Sequence, residues 1–341
     1  MIWIRADANQ EVGSGHVMRC LSIAEALRRQ GQQVCFLTAD ERAAGLLEAR
    51  GMEFKALHSD YRCMEGELEA LEGLLAGGGG NFFLADSYFA TAGYLSRVKN
   101  YLPVGYLDDK CRLDLPVDLL INYNIFAESS LYEGARAAEL LLGPAYAPLR
   151  AEFGECAIEV RERAARVLIT TGGSDRYDLA GQILRECLAH PGAAGLEYWV
   201  VSGIYNGHLG ELKELEGQHP NVKIYSNVPR MWELMQDSDI AATAGGSTMY
   251  ELSAVGVPMV AFSFVDNQER IVEGFVKKGL VCFGGNYLAQ GEGMAAEVAE
   301  NIALLAGDAA LREAYSRKLK AVADGRGAMR IAEQIMARAM E

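Results

Sequence analysis

Seven cysteines are scattered through this chain at 20, 35, 63, 111, 156, 187 and 282. None forms a Cys-x-x-Cys pair and the number is odd, so the sequence offers no disulfide framework and reads as carrying reduced thiols. There is no His-Glu-x-x-His and no Cys/His cluster, so neither a metal nor a cofactor is expected. No apolar run approaches the ~18 residues that span a bilayer, and no basic-then-apolar leader precedes "MIWIRAD"; stable membrane insertion is not expected, and the chain reads as soluble and cytoplasmic. Positive charge is short: 32 Lys and Arg against 46 Asp and Glu leave a net charge of -14. That excludes a bulk basic field for nucleic acid and disfavours anionic membrane, while local backbone amides can still hold a small anion. The third glycine of a dinucleotide fingerprint is missing too. After Gly13 and Gly15 the position falls on Met18, so NAD binding is not expected.

What is present is an alternation of strands and helices. "MIWIR" (1–5) reads as a buried strand, and "HVMRCLSIAEALRRQG" (16–31) as a helix stopped by Gly31. Strands follow at "QVCFLTA", "MEFKAL", "NFFLADS", "VGYLDD", "VDLLINYN" and "AELLLG". The segment 142–153, with two prolines and no period, reads as a linker. The rhythm then restarts at "RVLITT" and runs to the strand "PMVAFSF", after which helices are expected to fill the rest. At 341 residues the chain is too long for one ordinary core. The reading is α/β: two Rossmann-like doubly wound parallel-sheet domains, 1–149 and 150–326, with a terminal helix in 327–341 returning to the first. Ligands of such sheets bind beyond the carboxyl ends of strands, and a cleft between the domains is expected.

The first loop at a strand end is "EVGSGHVMRC" (11–20). Gly13 and Gly15 allow a sharp turn from strand to helix. His16 then falls at a helix N-terminus, whose dipole disfavours imidazolium. A neutral imidazole is what a general base requires. Read alone, His16 fits a solvated or capped helix-start histidine equally well.

Two loops of the second domain add context. "TTGGSD" (170–175) places Gly172, Gly173 and Ser174 between a strand and a helix, where free amides can face an anion. "TAGGSTMYE" (243–251) repeats the arrangement with Gly245 and Gly246, and Ser247 and Thr248 are good cap residues. Glu251 lies on the same helix face as Ser247 and can take two hydrogen bonds from ribose hydroxyls. Its alternative is a first-turn glutamate favoured by the dipole. Together these features look like a seat for a nucleoside diphosphate.

The ordered set "RADANQEVGSGHVMRCLSIAEAL", "LADSYFA", "YLDD", "LINYN", "GPAYAPLRAEF", "TTGGSD", "TAGGSTMYELSAVGVPMVAF", "DNQ" and "DGRGAMRIAEQI" resembles the UDP-2,4-diacetamido-2,4,6-trideoxy-β-L-altropyranose hydrolases of pseudaminic acid biosynthesis. That family is similar to the N-acetylglucosaminyltransferase of lipid II synthesis and has the GT-B fold. The resemblance implies that His16 is the catalytic base, with Gly15, Asp86, Tyr88 and Asn267 around the sugar. It implies that Gly13, Gly172, Gly173, Ser174, Gly245, Gly246, Ser247, Thr248, Glu251 and Gln268 serve UDP. Ser14 stands where an aromatic residue is expected, which alters the edge of the sugar pocket.

The chemistry implied is release of UDP from a UDP-sugar by water, deprotonated by His16, attacking the anomeric carbon with inversion. A diphosphate is already a good leaving group once its charge is met, so no metal is required. The paired carboxylates Asp108 and Asp109 of "LDDK" read mainly as loop chemistry, with a sugar contact as the alternative. A glycosyltransferase of the same fold, a hydrolysing 2-epimerase and a non-catalytic nucleotide-sugar binder are the rival readings.

Overall fold

The computed structural model describes residues 1–9, 11–173, 175–203 and 206–340. The chain divides into two compact units, Met1–Ala151 with Arg326–Glu341, and Glu152–Gly325.

The first unit runs β1 (Ile2–Ala6), α1 (Gly15–Arg29), β2 (Val34–Thr38), α2 (Ala44–Glu48), β3 (Glu53–Ala56), α3 (Leu68–Ala76), β4 (Phe82–Asp86), α4 (Ala92–Lys99), β5 (Val104–Leu107), β6 (Leu119–Asn122) and β7 (Glu139–Leu142). Its sheet order is β3-β2-β1-β4-β5-β6-β7, and every pairing is parallel. The central strands β1 and β4 are buried on both faces, which is why they read as unbroken apolar runs rather than as alternation. The strand order reverses between them. Ala6 stands opposite Asp86 in their register, so the loops after β1 and β4 open at the switch point. Beneath the β1 end, the buried Arg5 guanidinium donates to Glu67 at 2.8 and 3.0 Å and to Asp7 at 2.6 Å. Tyr94 and Ser59 also donate to Glu67, at 2.7 Å each. This network ties the β1 end to the segment ahead of α3. The last helix, α13 (Gly327–Ala339), packs on α1. Gly327 lets the start of α13 lie against the 146–147 backbone, since a Cβ there would overlap Ala147.

The second unit runs β8 (Arg166–Thr170), α5 (Leu179–Ala189), β9 (Glu197–Ser202), α6 (Leu209–Gln218), β10 (Val222–Ser226), α7 (Met231–Gln236), β11 (Ile240–Ala244), α8 (Ser247–Val255), β12 (Met259–Ser263), α9 (Asp266–Lys277), β13 (Cys282–Asn286), α10 (Tyr287–Gln290), α11 (Gly293–Gly307) and α12 (Ala309–Lys320). Its parallel sheet has the order β10-β9-β8-β11-β12-β13, with the switch between β8 and β11. Strand β13 overturns the expectation that only helices follow residue 264. It is a short edge strand with two glycines, and its register against β12 shifts between Ala261 and Phe262. Glycine is poor strand former, which hid it. Gly284 is nonetheless required, because a Cβ would lie 2.7 Å from Val298 and 2.9 Å from Val260.

Candidate active site

The first unit gathers a polar cluster at its switch point. Helix α1 begins at Gly15, directly after a turn in which Asn9 and Gly13 pair antiparallel. Asn9 Oδ1 accepts from the N–H groups of Glu11 and Val12 at 2.8 and 3.0 Å, and Gly13 adopts φ +72°. The Gly13 N–H is taken by the Asn9 carbonyl at 2.9 Å, so it is not free for a phosphate. Gly13 serves the turn that delivers His16 to the second position of α1.

His16 Nδ1 lies 2.6 Å from Asp86 Oδ1. Asp86 is fully buried at the end of β4, and Arg19 binds both its oxygens, with Nε 2.6 Å from Oδ2 and Nη2 2.5 Å from Oδ1, the latter also 3.2 Å from His16 Nδ1. Burial alone would raise the Asp86 carboxyl. The Arg19 charge, with His16 beside it, outweighs burial and holds Asp86 well below the usual carboxylate range. An ionised carboxylate only accepts, and at 2.6 Å Asp86 Oδ1 is nearer to Nδ1 than the Arg19 donor at 3.2 Å. The network therefore assigns a proton to His16 Nδ1 and leaves the lone pair of the neutral ring on Nε2, which has no partner among the described residues. Arg19 Nη1 reaches Asp109 Oδ2 at 2.9 Å and the Tyr123 hydroxyl at 3.1 Å. Burial opposes the charge of Arg19, but Asp109 and Asp86 more than compensate and raise it well above its ordinary value.

Tyr88 closes the ring of contacts. Its side chain meets His16 edge-on with centroids 4.6 Å apart, and its hydroxyl donates to Asp109 Oδ2 at 3.3 Å. Asn124 donates to Asp109 Oδ1 at 3.2 Å. Asp86 was expected to touch the sugar; it lies buried behind His16, with both oxygens engaged. Asp108 is likewise spent: it accepts from the N–H groups of Lys110 and Arg112 and from the Tyr132 hydroxyl at 2.8, 2.8 and 2.7 Å. It shapes the 108–112 loop, leaving Asp109 as the carboxylate that meets Arg19 and Tyr88. Among the described residues no group of three or more His, Cys, Asp or Glu side chains is arranged to hold a metal ion.

In the second unit the two glycine loops differ. Asp175 caps α5 with its own carboxylate, accepting from Leu179 and Ala180 N–H at 2.8 Å each. The anion that the α5 N-terminus favours is thus already part of the chain. Gly172, at φ +87°, and Gly173 remain exposed ahead of it; Ser174 lies outside the described residues. Helix α8 is the contrasting case. Gly246 occupies its cap position, no side chain caps it, and its first turn holds no acidic residue. Its first amides, next to exposed Ser247 and half-buried Thr248, are the open ones. Gly245 is buried and its N–H bonds Phe262; a Cβ there would lie 2.8 Å from the Gln268 carbonyl, so this glycine admits α9. Gln268 Oε1 accepts from Phe264 N at 3.0 Å, which turns its side-chain oxygen onto the β12–α9 loop. Glu251 is half-buried one turn inside α8, and Asn267 is exposed in the first turn of α9.

Sequence reasoning missed Arg19, Tyr123 and Asn124. The signal for Arg19 was its spacing, three residues after His16 and so on the same helix face.

Two doubly wound units of this kind define the GT-B architecture. Solved structures with this fold include MurG of Acinetobacter baumannii (TM-score 0.68, 14% identity, 98% of this chain and 99% of that one). A putative UDP-N-acetylglucosamine 2-epimerase of Listeria monocytogenes also has it (TM-score 0.66, 10% identity, 98% and 96%). Among sequences, the chain is similar to the UDP-2,4-diacetamido-2,4,6-trideoxy-β-L-altropyranose hydrolase of Campylobacter jejuni, 29% identical over 164 residues, 48% of this chain and 58% of that protein. It is 24% identical over 294 residues to the spore coat polysaccharide biosynthesis protein SpsG of Bacillus subtilis, covering 82% and 81%. An uncharacterised protein of Methanocaldococcus jannaschii is 25% identical over 294 residues, 81% of this chain and 58% of that protein. The match thus spans little more than half of the archaeal and Campylobacter proteins. No family model matches. No helix among the described residues is long and apolar enough to cross a membrane.

Proposed function

We propose that this protein is an enzyme acting on a nucleotide-sugar, and specifically a metal-independent UDP-sugar hydrolase. The observation that carries this is the His16–Asp86 pair: a histidine at a strand-end loop, its Nδ1–H held by a buried ionised carboxylate, its Nε2 unpartnered. Such an imidazole takes a proton from water. The substrate we assign is UDP-2,4-diacetamido-2,4,6-trideoxy-β-L-altropyranose, on the likeness to the Campylobacter hydrolase. As the water oxygen bonds the anomeric carbon, its proton passes to His16 Nε2. The bond from that carbon to the phosphate oxygen breaks, and UDP leaves with the electron pair. The new hydroxyl stands on the face opposite UDP, so the centre inverts. Asp86 and Arg19 keep the ring oriented and stabilise the imidazolium, and Asp86 acts behind the base rather than on the sugar. Tyr88, Gly15 and Asn267 are the sugar contacts of this reading. The exposed Gly172–Gly173 loop, Gly246 and the open N-terminus of α8 supply amides for the diphosphate, and Glu251 takes the ribose hydroxyls.

The second reading is sugar transfer, supported by the transferases that share the fold. In it an acceptor hydroxyl replaces water at His16. Incubation with the UDP-sugar and no acceptor separates the two. Free UDP and free sugar in equal amounts are expected; substrate left intact until an acceptor is added would replace hydrolysis with transfer.

A further inference from the structure

We propose that Lys110 is the cation that meets the phosphate directly bonded to the anomeric carbon, stabilising the charge that develops as UDP departs. The inference rests on the nucleotide-sugar reading above and goes beyond it by naming the group that receives the leaving oxygen.

The argument begins with a charge census. With the imidazole neutral, Arg19, Asp86 and Asp109 sum to one negative charge, and the guanidinium of Arg19 is spent on the two carboxylates and on Tyr123. The whole chain, this cluster included, carries a net -14. An anionic diphosphate brought to such a cluster is repelled unless a cation offsets it, and close charges act strongly where water is partly excluded. Arg112, the next cation along the loop, is committed to Asp114 and to the Ala90 carbonyl. Lys110 is different. Its ammonium lies 4.5 Å from the centroid of the Tyr88 ring, it is exposed, and among the described residues no carboxylate pairs with it. The π face holds the charge in place without neutralising it.

Position supports the role. Lys110 and His16 pack on the same ring, at 4.5 and 4.6 Å from its centroid. The backbone under Lys110 is fixed by the bond from its N–H to Asp108 Oδ1. In-line attack puts that phosphate across the anomeric carbon from the water on His16, and Lys110, with its long stem beside the sugar contact Tyr88, is the unpaired cation of this loop that can reach it. In the step, the water oxygen bonds carbon, the carbon–oxygen bond to phosphate breaks, its electron pair goes to UDP, and the water proton goes to His16. Lys110 opposes the charge growing on the leaving oxygen, as fixed donors do at developing oxyanions.

The test compares wild type, Lys110→Met, Lys110→Arg and His16→Asn in acceptor-free hydrolysis of the UDP-sugar across a range of sodium chloride. Methionine keeps a flexible stem against Tyr88 and removes the charge; arginine keeps the charge. Lys110→Met is expected to lose about ten- to hundredfold in kcat/KM, the range for a bond to a charged group, and to show a flatter salt dependence. Lys110→Arg is expected to recover most of the loss. Wild-type kcat/KM and salt slope in Lys110→Met, with His16→Asn inactive, would overturn the role of Lys110 while leaving hydrolysis standing. A wild-type protein inert toward the UDP-sugar would remove both.

Discussion

His16 Nδ1 and Asp86 Oδ1 stand 2.6 Å apart although seventy residues separate them in sequence. The pairing follows from topology. Strands β1 and β4 are neighbours at the switch of the first sheet, so the loop after one and the last residue of the other converge. Because Asp86 can only accept, it fixes the imidazole tautomer. In Asp86→Asn, the amide can donate to Nδ1, driving the ring proton to Nε2 and removing the lone pair that water needs. Turnover of the UDP-sugar is expected to fall by ~10² to 10⁴, with UDP affinity unchanged. Nitrogen NMR of the labelled ring should show the proton moving from Nδ1 to Nε2. An unchanged tautomer with unchanged turnover would deny Asp86 this role.

The same pair predicts an acid response. Asp86 has its folded-state carboxyl held below the ordinary value of about 3.9 by Arg19 and His16, against the cost of burial. A depressed carboxyl contributes stability above the ordinary value and loses it as pH falls through the folded value. Asp86→Asn should therefore be less stable than wild type at neutral pH, by about 3 kcal/mol for a broken buried pair. The gap should narrow in strong acid. Urea unfolding at a series of pH values measures it; a gap that widens toward acid would reverse the assignment.

In the proposed nucleotide seat Glu251 takes the ribose hydroxyls. Each hydrogen bond to its carboxylate contributes roughly 1.5–3 kcal/mol, so Glu251→Ala should weaken UDP binding at least about tenfold. Calorimetry with UDP reads this directly, and unchanged affinity would take Glu251 out of the site.

Gly327→Ala probes the return of the chain to the first unit. The added methyl would overlap the carbonyl oxygen of Ala147 and lie 2.6 Å from its nitrogen, and backbone cannot yield as a side chain can. Overpacking of this kind costs about 1–3 kcal/mol. A lowered thermal midpoint is expected, and an unchanged one would mean that the start of α13 is not held against the Ala147 backbone.

Much of this was legible in the sequence. The β/α alternation, both glycine loops and the placement of His16 at a helix start follow from local pattern. Strand β13 was not legible, because two glycines break its apolar run and the need for them lies in tertiary neighbours, Val298 and Val260 for Gly284 and Met294 for Gly285. The role of Asp86 was not legible either, since spacing says nothing about which oxygen faces which nitrogen. Asp175 shows the same limit: "TTGGSD" reads as an anion seat, and only the structure shows that its own aspartate fills the end of α5. The bond that Gln268 Oε1 accepts from the backbone of Phe264 was not legible either.

The central claim is water attack at the anomeric carbon, and the position of oxygen label tests it most directly. The UDP-sugar is hydrolysed by the protein in ¹⁸O-labelled water without an acceptor, and both products are weighed by mass spectrometry. The account predicts one label in the released sugar, on the inverted anomeric hydroxyl, and none in UDP. Label in UDP would place the attack at phosphorus and contradict the role given to His16.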